Sequence, residues 1–289
     1  MLALQRELHA AGYIAEPALA AALLLMKDLG RPLLLEGDAG VGKTEVAKAL
    51  AAIRATRLIR LQCYEGLDVH AAMYEWNYQR QLLAIKLLEH DDRPAAAKEN
   101  DIFSERYLLT RPLLEAIRCE QPPVLLIDEV DRADAAFEAY LLELLSDYQM
   151  SIPELGTVRA LSRPIVVITS NGTRELSDAL RRRCLYQYID YPAFDKELAI
   201  VEIKVPRAAG RLARQIVEFV QSVRRLELQK KPGVAETLDW TAALLRLGIT
   251  TLDEDGAERI LQSLSALIKT REDRGAFTRE VVARIAAGC

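Results

Sequence analysis

Residues 37–44 read Gly-Asp-Ala-Gly-Val-Gly-Lys-Thr, and this stretch restricts the possible folds of the chain more than any other. Its glycines let the backbone curl until successive amide groups point at one centre, which is a geometry for an anion. The apolar run Leu33, Leu34, Leu35 precedes it, and residues 44–53, rich in Ala, Val, Lys and Leu, follow it. Strand, glycine-rich loop and helix in that order aim the positive end of the helix dipole at the same anion. The pattern G-x-x-x-x-G-K-[ST] is complete, so Lys43 is expected to reach the β- and γ-phosphates of a nucleotide, and Thr44 to hold Mg2+ through its hydroxyl. The candidate nucleotide-binding residues are Gly37, Asp38, Ala39, Gly40, Val41, Gly42, Lys43, Thr44 and Glu45.

Strand signals return at residues 57–63, 123–127, 164–170 and 186–191, separated by segments long enough for helices. This alternation predicts βαβ crossovers and an α/β fold whose parallel sheet is covered on both faces. The third strand runs into Asp128 and Glu129 at its carboxyl end, where open α/β sheets bind their ligands. Asp128 is the candidate magnesium residue beside Thr44, and Glu129 the candidate for polarising the attacking water of ATP hydrolysis. The fourth strand closes on Thr169-Ser170-Asn171, and Asn171 is placed to orient the water or the γ-phosphate. Before the fifth strand stand Arg181, Arg182 and Arg183, the most basic spot in the chain. Phosphoryl transfer uses an arginine at the developing charge, which a neighbouring subunit can supply, while the negative end of a helix also attracts such residues.

Residues 2–29 read as helix, broken at Gly12-Tyr13 and restarted at Pro17. Residues 149–160 alternate around a Leu155-Gly156 turn and predict a β-hairpin, with Pro153 arguing for an edge strand. Residues 90–101, HDDRPAAAKEND, lack apolar periodicity and read as an exposed loop. Tyr74, Trp76 and Tyr78 alternate as in an extended element; packing under the surrounding segment is the favoured reading, and a client-facing or pore-facing Trp76 the alternative. After residue 192 strand signals cease, and 196–205, 210–226, 235–247 and 256–270 read as amphipathic helices. The expected division is an α/β nucleotide-binding domain over 1–192, with an inserted segment at about 64–110 and the hairpin 149–160, and a helical lid domain over 193–289.

With 38 basic against 42 acidic residues the net charge is −4, so the chain carries no general phosphate-backbone footprint and nucleic acid is not the expected partner. Cys63, Cys119, Cys184 and Cys289 have no C-x-x-C spacing, and His9, His70 and His90 are the only histidines, so neither a zinc site nor a disulfide framework is signalled. Free thiols and the absence of a membrane-length apolar run fit a cytoplasmic protein.

The phosphate loop, the acidic pair, Asn171 and the arginines, in this order and followed by helices, resemble the AAA+ ATPases. The resemblance implies a five-stranded sheet of order 5-1-4-3-2 and a ring, usually of six subunits. It further implies the sensor-1 role for Asn171 and the arginine finger for Arg183, with Arg182 next. Tyr13 and Ile14 fall where the family wraps adenine, although a helix break packed on the core accounts for them equally. The stretch LLIDEVDRAD at 125–134 and the hairpin before Asn171 are similar to the MoxR branch. Residues 60–69, 74–83, 137–160 and 184–192 are similar to its CoxD-type subgroup. That resemblance implies a chaperone in the maturation of a molybdenum-containing carbon monoxide dehydrogenase-like metalloenzyme, working beside a von Willebrand factor A domain partner. One departure stands out: where relatives place a sensor-2 arginine, this chain has Glu236 or Thr237, and Arg224 or Arg225 are the substitutes at hand. A nucleic-acid motor, a nucleotide-gated binding module and a P-loop small-molecule kinase remain the alternatives.

Overall fold

A computed structural model of the protein describes residues 1–88, 93–253 and 256–288. Its strands are β1 (Leu33–Glu36), β2 (Leu58–Gln62), β3 (Tyr74–Trp76), β4 (Leu108–Thr110), β5 (Val124–Asp128), β6 (Gln149–Ile152), β7 (Gly156–Arg159), β8 (Ile165–Ser170) and β9 (Leu185–Tyr188). The chain divides into two compact units, Met1–Pro17 with Gly37–Ala49 and Tyr188–Cys289, and Ala18–Glu36 with Leu50–Gln187.

The second unit is built on a five-stranded sheet of order β2-β5-β8-β1-β9. Counted in chain order among the sheet strands alone and from the β9 edge, this is 5-1-4-3-2; the numbers differ only because β3, β4, β6 and β7 lie outside the sheet. Strands β2, β5, β8 and β1 run parallel, with Gln62 opposite Asp128, Ile127 opposite Ile168 and Glu36 opposite Ser170. Every residue of β5 is buried, which is why Val124-Leu125-Leu126-Ile127 is a continuous apolar run rather than an alternating one. Leu114, Ile117, Phe137 and Leu141 from flanking helices complete this core.

Outside the sheet, β6 and β7 form the expected hairpin, but Pro153 lies in its turn and not in an edge strand. Strand β3 pairs antiparallel with β4, and Tyr78 leaves the strand to open the helix Tyr78–Leu87, capped by the Asn77 side chain. Trp76 is buried, edge-on to Phe103 at 5.6 Å and to Tyr74 at 6.4 Å, so the client-facing reading of this residue is corrected. Its ring area is spent on packing within its own subunit. The loop expected at 90–101 is also corrected in part: Ala95–Ile102 is helical, as its alanines favour, while residues 89–92, including His90, lie outside the described residues. Cys289 lies outside them as well.

The first unit is helical, with helices Leu2–Ala10, Phe194–Lys204, Arg211–Arg224, Val234–Arg246, Ala257–Ser263, Arg271–Gly275 and Arg279–Ala287. Leu212, Ile216, Phe219, Val220 and Val223 recur at helical spacing and place one face of Arg211–Arg224 in the core. There Phe219 meets Trp240 with ring centroids 4.9 Å apart, and the indole N–H of Trp240 donates to Ser263 Oγ at 2.8 Å. The helices Pro17–Leu29 and Lys43–Arg54 carry the chain from one unit to the other. Among the described residues no helix is long and apolar enough to cross a membrane, and no group of three or more His, Cys, Asp or Glu could hold a metal ion.

Candidate functional site

Gly37 follows Glu36 directly, so the phosphate loop starts where β1 ends. Within the first unit, Lys43 opens the helix Lys43–Arg54 and is only 6% exposed. Its ammonium donates to the carbonyls of Gly37 at 2.6 Å and Asp38 at 2.7 Å, arching over the loop that precedes it. Gly40 has φ 80°, a conformation that L side chains rarely adopt, and its carbonyl accepts from Val234 N at 2.9 Å. A Cβ on Gly37 would stand 2.1 Å from the carbonyl oxygen of Ile189, so only glycine fits there. Among the described residues the amides of 38–42 donate no hydrogen bond, which leaves a run of N–H groups beside a lysine and a helix N-terminus. N–H groups without a protein partner beside a helix N-terminus form a concavity that can receive an anion.

Around this loop, Val41 is buried, Asp38 and Ala39 are exposed, and Thr44 is half-buried in the first turn. Glu45 pairs with Lys48 at 2.5 Å and with Lys204 at 3.9 Å. Tyr13 is half-buried after the left-handed Gly12; burial first, then the charges of Glu16 and Glu45, push its hydroxyl well above the ordinary phenol range. Ile14 is half-buried beside it. Burial and then the Asp38 carboxylate push the Tyr191 hydroxyl up to about 12.

At residues 236–237, where the resemblance implies a sensor-2 arginine, Glu236 accepts from the amide of Gly233 at 3.0 Å as part of a helix cap, and Thr237 is fully buried. Arg224 is excluded as a phosphate ligand: its guanidinium is sunk in a bidentate pair with Glu197 at 2.5 and 2.6 Å and donates to Pro232 O at 2.7 Å. Arg225, the C-cap of that helix, is exposed.

In the second unit, β5 and β8 bring Asp128, Glu129 and Asn171 together. Asp128, 3% exposed, accepts from Thr169 Oγ1 and from Arg60, each at 2.5 Å. Glu129 has φ 55°, unusual for a side-chain-bearing residue, and its amide donates to Thr169 Oγ1 at 2.9 Å. One hydroxyl thus fixes both the Asp128 carboxylate and the turn that carries Glu129. The Glu129 carboxylate accepts from Gln62 Nε2 and Arg132 Nε at 3.0 Å and from Asn171 Nδ2 at 3.4 Å.

Asp131 anchors the chain after β8 by accepting from Asn171 N at 3.2 Å, Thr173 N at 3.0 Å and Thr173 Oγ1 at 2.6 Å. Burial raises its pKa, but the hydrogen bonds from Thr173 and Asn171 outweigh this and hold it below the usual carboxylate value. Burial, followed by the charges of Asp128, Asp131 and Glu129, pushes the Cys63 thiol up to about 12, so it stays neutral.

Sequence reasoning missed the parts played by Arg60, Gln62, Arg132 and Asp131. For the first two a signal existed, since the period of two along β2 puts them on one face while Ile59 and Leu61 are buried on the other. Arg183 and Arg182 close the helix Asp178–Arg183. Arg183 is spent within its own subunit, donating to Ser146 Oγ and to Ala179 O, whereas the Arg182 side chain is 83% exposed.

The AAA domain (dynein-related subfamily) matches residues 32–184. The chain is 27% identical to the gas vesicle ATPase GvpN1 of Halobacterium salinarum over 78% of this chain, and 25% identical to the gas vesicle ATPase GvpN of Haloferax mediterranei over the same share. It spans 64% of the length of each of those two proteins. An uncharacterised protein of Staphylococcus aureus is 25% identical over 76% of this chain and 78% of its own length. Among solved structures, the Thermotoga maritima RuvB Holliday junction branch migration motor is similar at 18% identity and a TM-score of 0.45, over 89% of this chain and 69% of that one.

Proposed function

The chain belongs to the AAA domain family, dynein-related subfamily, and from that premise we propose that it is a Mg-ATP-hydrolysing AAA+ ATPase that remodels a protein client. The observation that carries the reading is the run of unpaired amides at 38–42 closed by Lys43, a cradle built for polyphosphate. Residues 37–45 bind the nucleotide, Lys43 meeting the β- and γ-phosphates, and Tyr13 and Ile14 line the adenine end. By their places in the two motifs, Thr44 and Asp128 would hold a magnesium ion, which would neutralise charge on the phosphate oxygens. Glu129 orients and polarises the attacking water, and Asn171 keeps that carboxylate in place. An arginine before the fifth sheet strand completes the site of a neighbouring subunit in a ring, and the exposed Arg182 is better disposed to do so than Arg183.

The finer reading is a cytoplasmic MoxR-type chaperone of the CoxD-like subgroup, assembled as a homohexamer. It works beside a von Willebrand factor A domain protein in the maturation of a molybdenum-containing metalloenzyme. Support comes from the long stretches at 60–69, 74–83, 137–160 and 184–192 that resemble that subgroup. The names of the GvpN relatives favour a second reading, in which the same ATPase acts on a different protein assembly. A motor on nucleic acid is disfavoured by the net charge of −4.

Phosphate release by the wild type, Lys43→Ala and Glu129→Gln tests the proposal. Lys43→Ala should lose ATP binding; Glu129→Gln should bind ATP and turn over about a hundredfold more slowly, the contribution of a positioned base. Turnover unaffected by either substitution would end the assignment.

A further inference from the structure

The helix that lacks a sensor-2 arginine is nevertheless joined to the phosphate loop. Val234 N donates to Gly40 O at 2.9 Å, and the two backbones pack so closely that a Cβ on Gly233 would stand 2.7 Å from Gly40 Cα. The first residues of Val234–Arg246 therefore dock on the middle of the loop, and whatever fixes the turn at 232–237 also fixes Gly40.

That turn is fixed from below. Glu197 is fully buried on Phe194–Lys204 and takes both oxygens to Arg224, with a further hydrogen bond from Gln221 at 2.7 Å. Arg224 donates through Nε to the carbonyl of Pro232, the residue before Gly233, and its guanidinium lies 4.9 Å from the centre of the Tyr191 ring. Thr237 donates to Glu197 Oε1 at 2.8 Å and lies 3.0 Å from Gly233 O. Two separate arms, Arg224 to Pro232 and Thr237 to Glu197, thus hold one turn against one glycine. A buried ion pair is a costly way to hold a helix together, since well-packed apolar side chains of similar volume often do so as well or better.

We infer that Thr237 and Arg224, both held by Glu197, are positioning residues for the phosphate loop: they set Gly40 through the 232–237 turn. This rests on the ATPase reading. Thr237, one of the two residues at the position where the resemblance implies a sensor-2 arginine, would then act on the loop rather than on the ligand.

Steady-state ATP hydrolysis and ATP affinity, read with the melting temperature, test this on the full chain. Thr237→Val removes the hydroxyl and keeps the shape; it should raise KM and Kd for Mg-ATP at least about fivefold, the worth of one hydrogen bond, while kcat falls less. Thr237→Ser should restore both. Should Thr237→Val fail to fold, Arg224→Lys, which keeps the charge opposite Glu197 but loses the paired N–H groups, should shift KM in the same direction. A lowered melting temperature with KM and Kd unchanged would reduce these residues to structural ones and overturn the inference. Wild-type protein that neither binds nor hydrolyses ATP would instead remove the ATPase reading itself, and with it the basis of the inference.

Discussion

At the scale of single residues, the acidic end of β5 depends on one hydroxyl that carries no chemistry of its own. Thr169 is fully buried, donates to Asp128 and accepts from the amide of Glu129, so it holds a carboxylate and a left-handed backbone turn at once. Thr169→Val keeps the volume, leaves the Glu129 amide without its acceptor and takes one donor from Asp128, which keeps Arg60, at a cost of about 1–3 kcal/mol. Thermal denaturation should show that loss, and phosphate release should fall about tenfold or more with ATP affinity measured without Mg2+ little changed, because the hydrogen bonds of Thr169 go to Asp128 and Glu129. Equal losses in affinity and turnover would mean that its role is general. Residue identities were legible in the sequence where chemistry and position coincide, as for Lys43, Asp128 and Glu129. Arg224 shows the limit: a free arginine and one consumed by Glu197 look the same until residues 27 positions apart are brought together.

At the scale of elements, the sheet strands could be read because β5 and β8 are buried on both faces and so wrote themselves as unbroken apolar runs. The small elements could not. Ala95–Ile102 is a helix of mixed polarity, and Arg271–Gly275 is too short to show a period, so neither left a hydrophobic signature. Tyr74 and Trp76 share a face in the way their alternation implies, but whether that face meets solvent or Phe103 is a property of the fold around it. The strand-to-loop junction at Gly37 is the most constrained point of the phosphate loop. Gly37→Ala drives a Cβ to within 2.1 Å of the Ile189 carbonyl, and a backbone atom cannot swing aside as a flexible side chain would. The substitution should cost about 1–3 kcal/mol in a denaturation experiment and abolish ATP binding; a variant of normal stability and affinity would show that the loop is free to shift.

At the scale of the whole molecule, the chain presents two compact units, and the segment that follows β1, Gly37–Ala49, groups with the helical part rather than with the sheet that precedes it. The sheet order was legible through the resemblance, whereas this grouping was not, since it rests on backbone contacts such as Gly40 with Val234 that have no sequence signal. The central claim is that the amides of 38–42 receive phosphate oxygens. Subsecond hydrogen exchange of the segment 37–44, with and without Mg-ATP, addresses it directly. Exchange in that segment should slow roughly tenfold or more when ATP binds and return to its free rate in Lys43→Ala. Exchange that stays the same under saturating Mg-ATP would contradict the account.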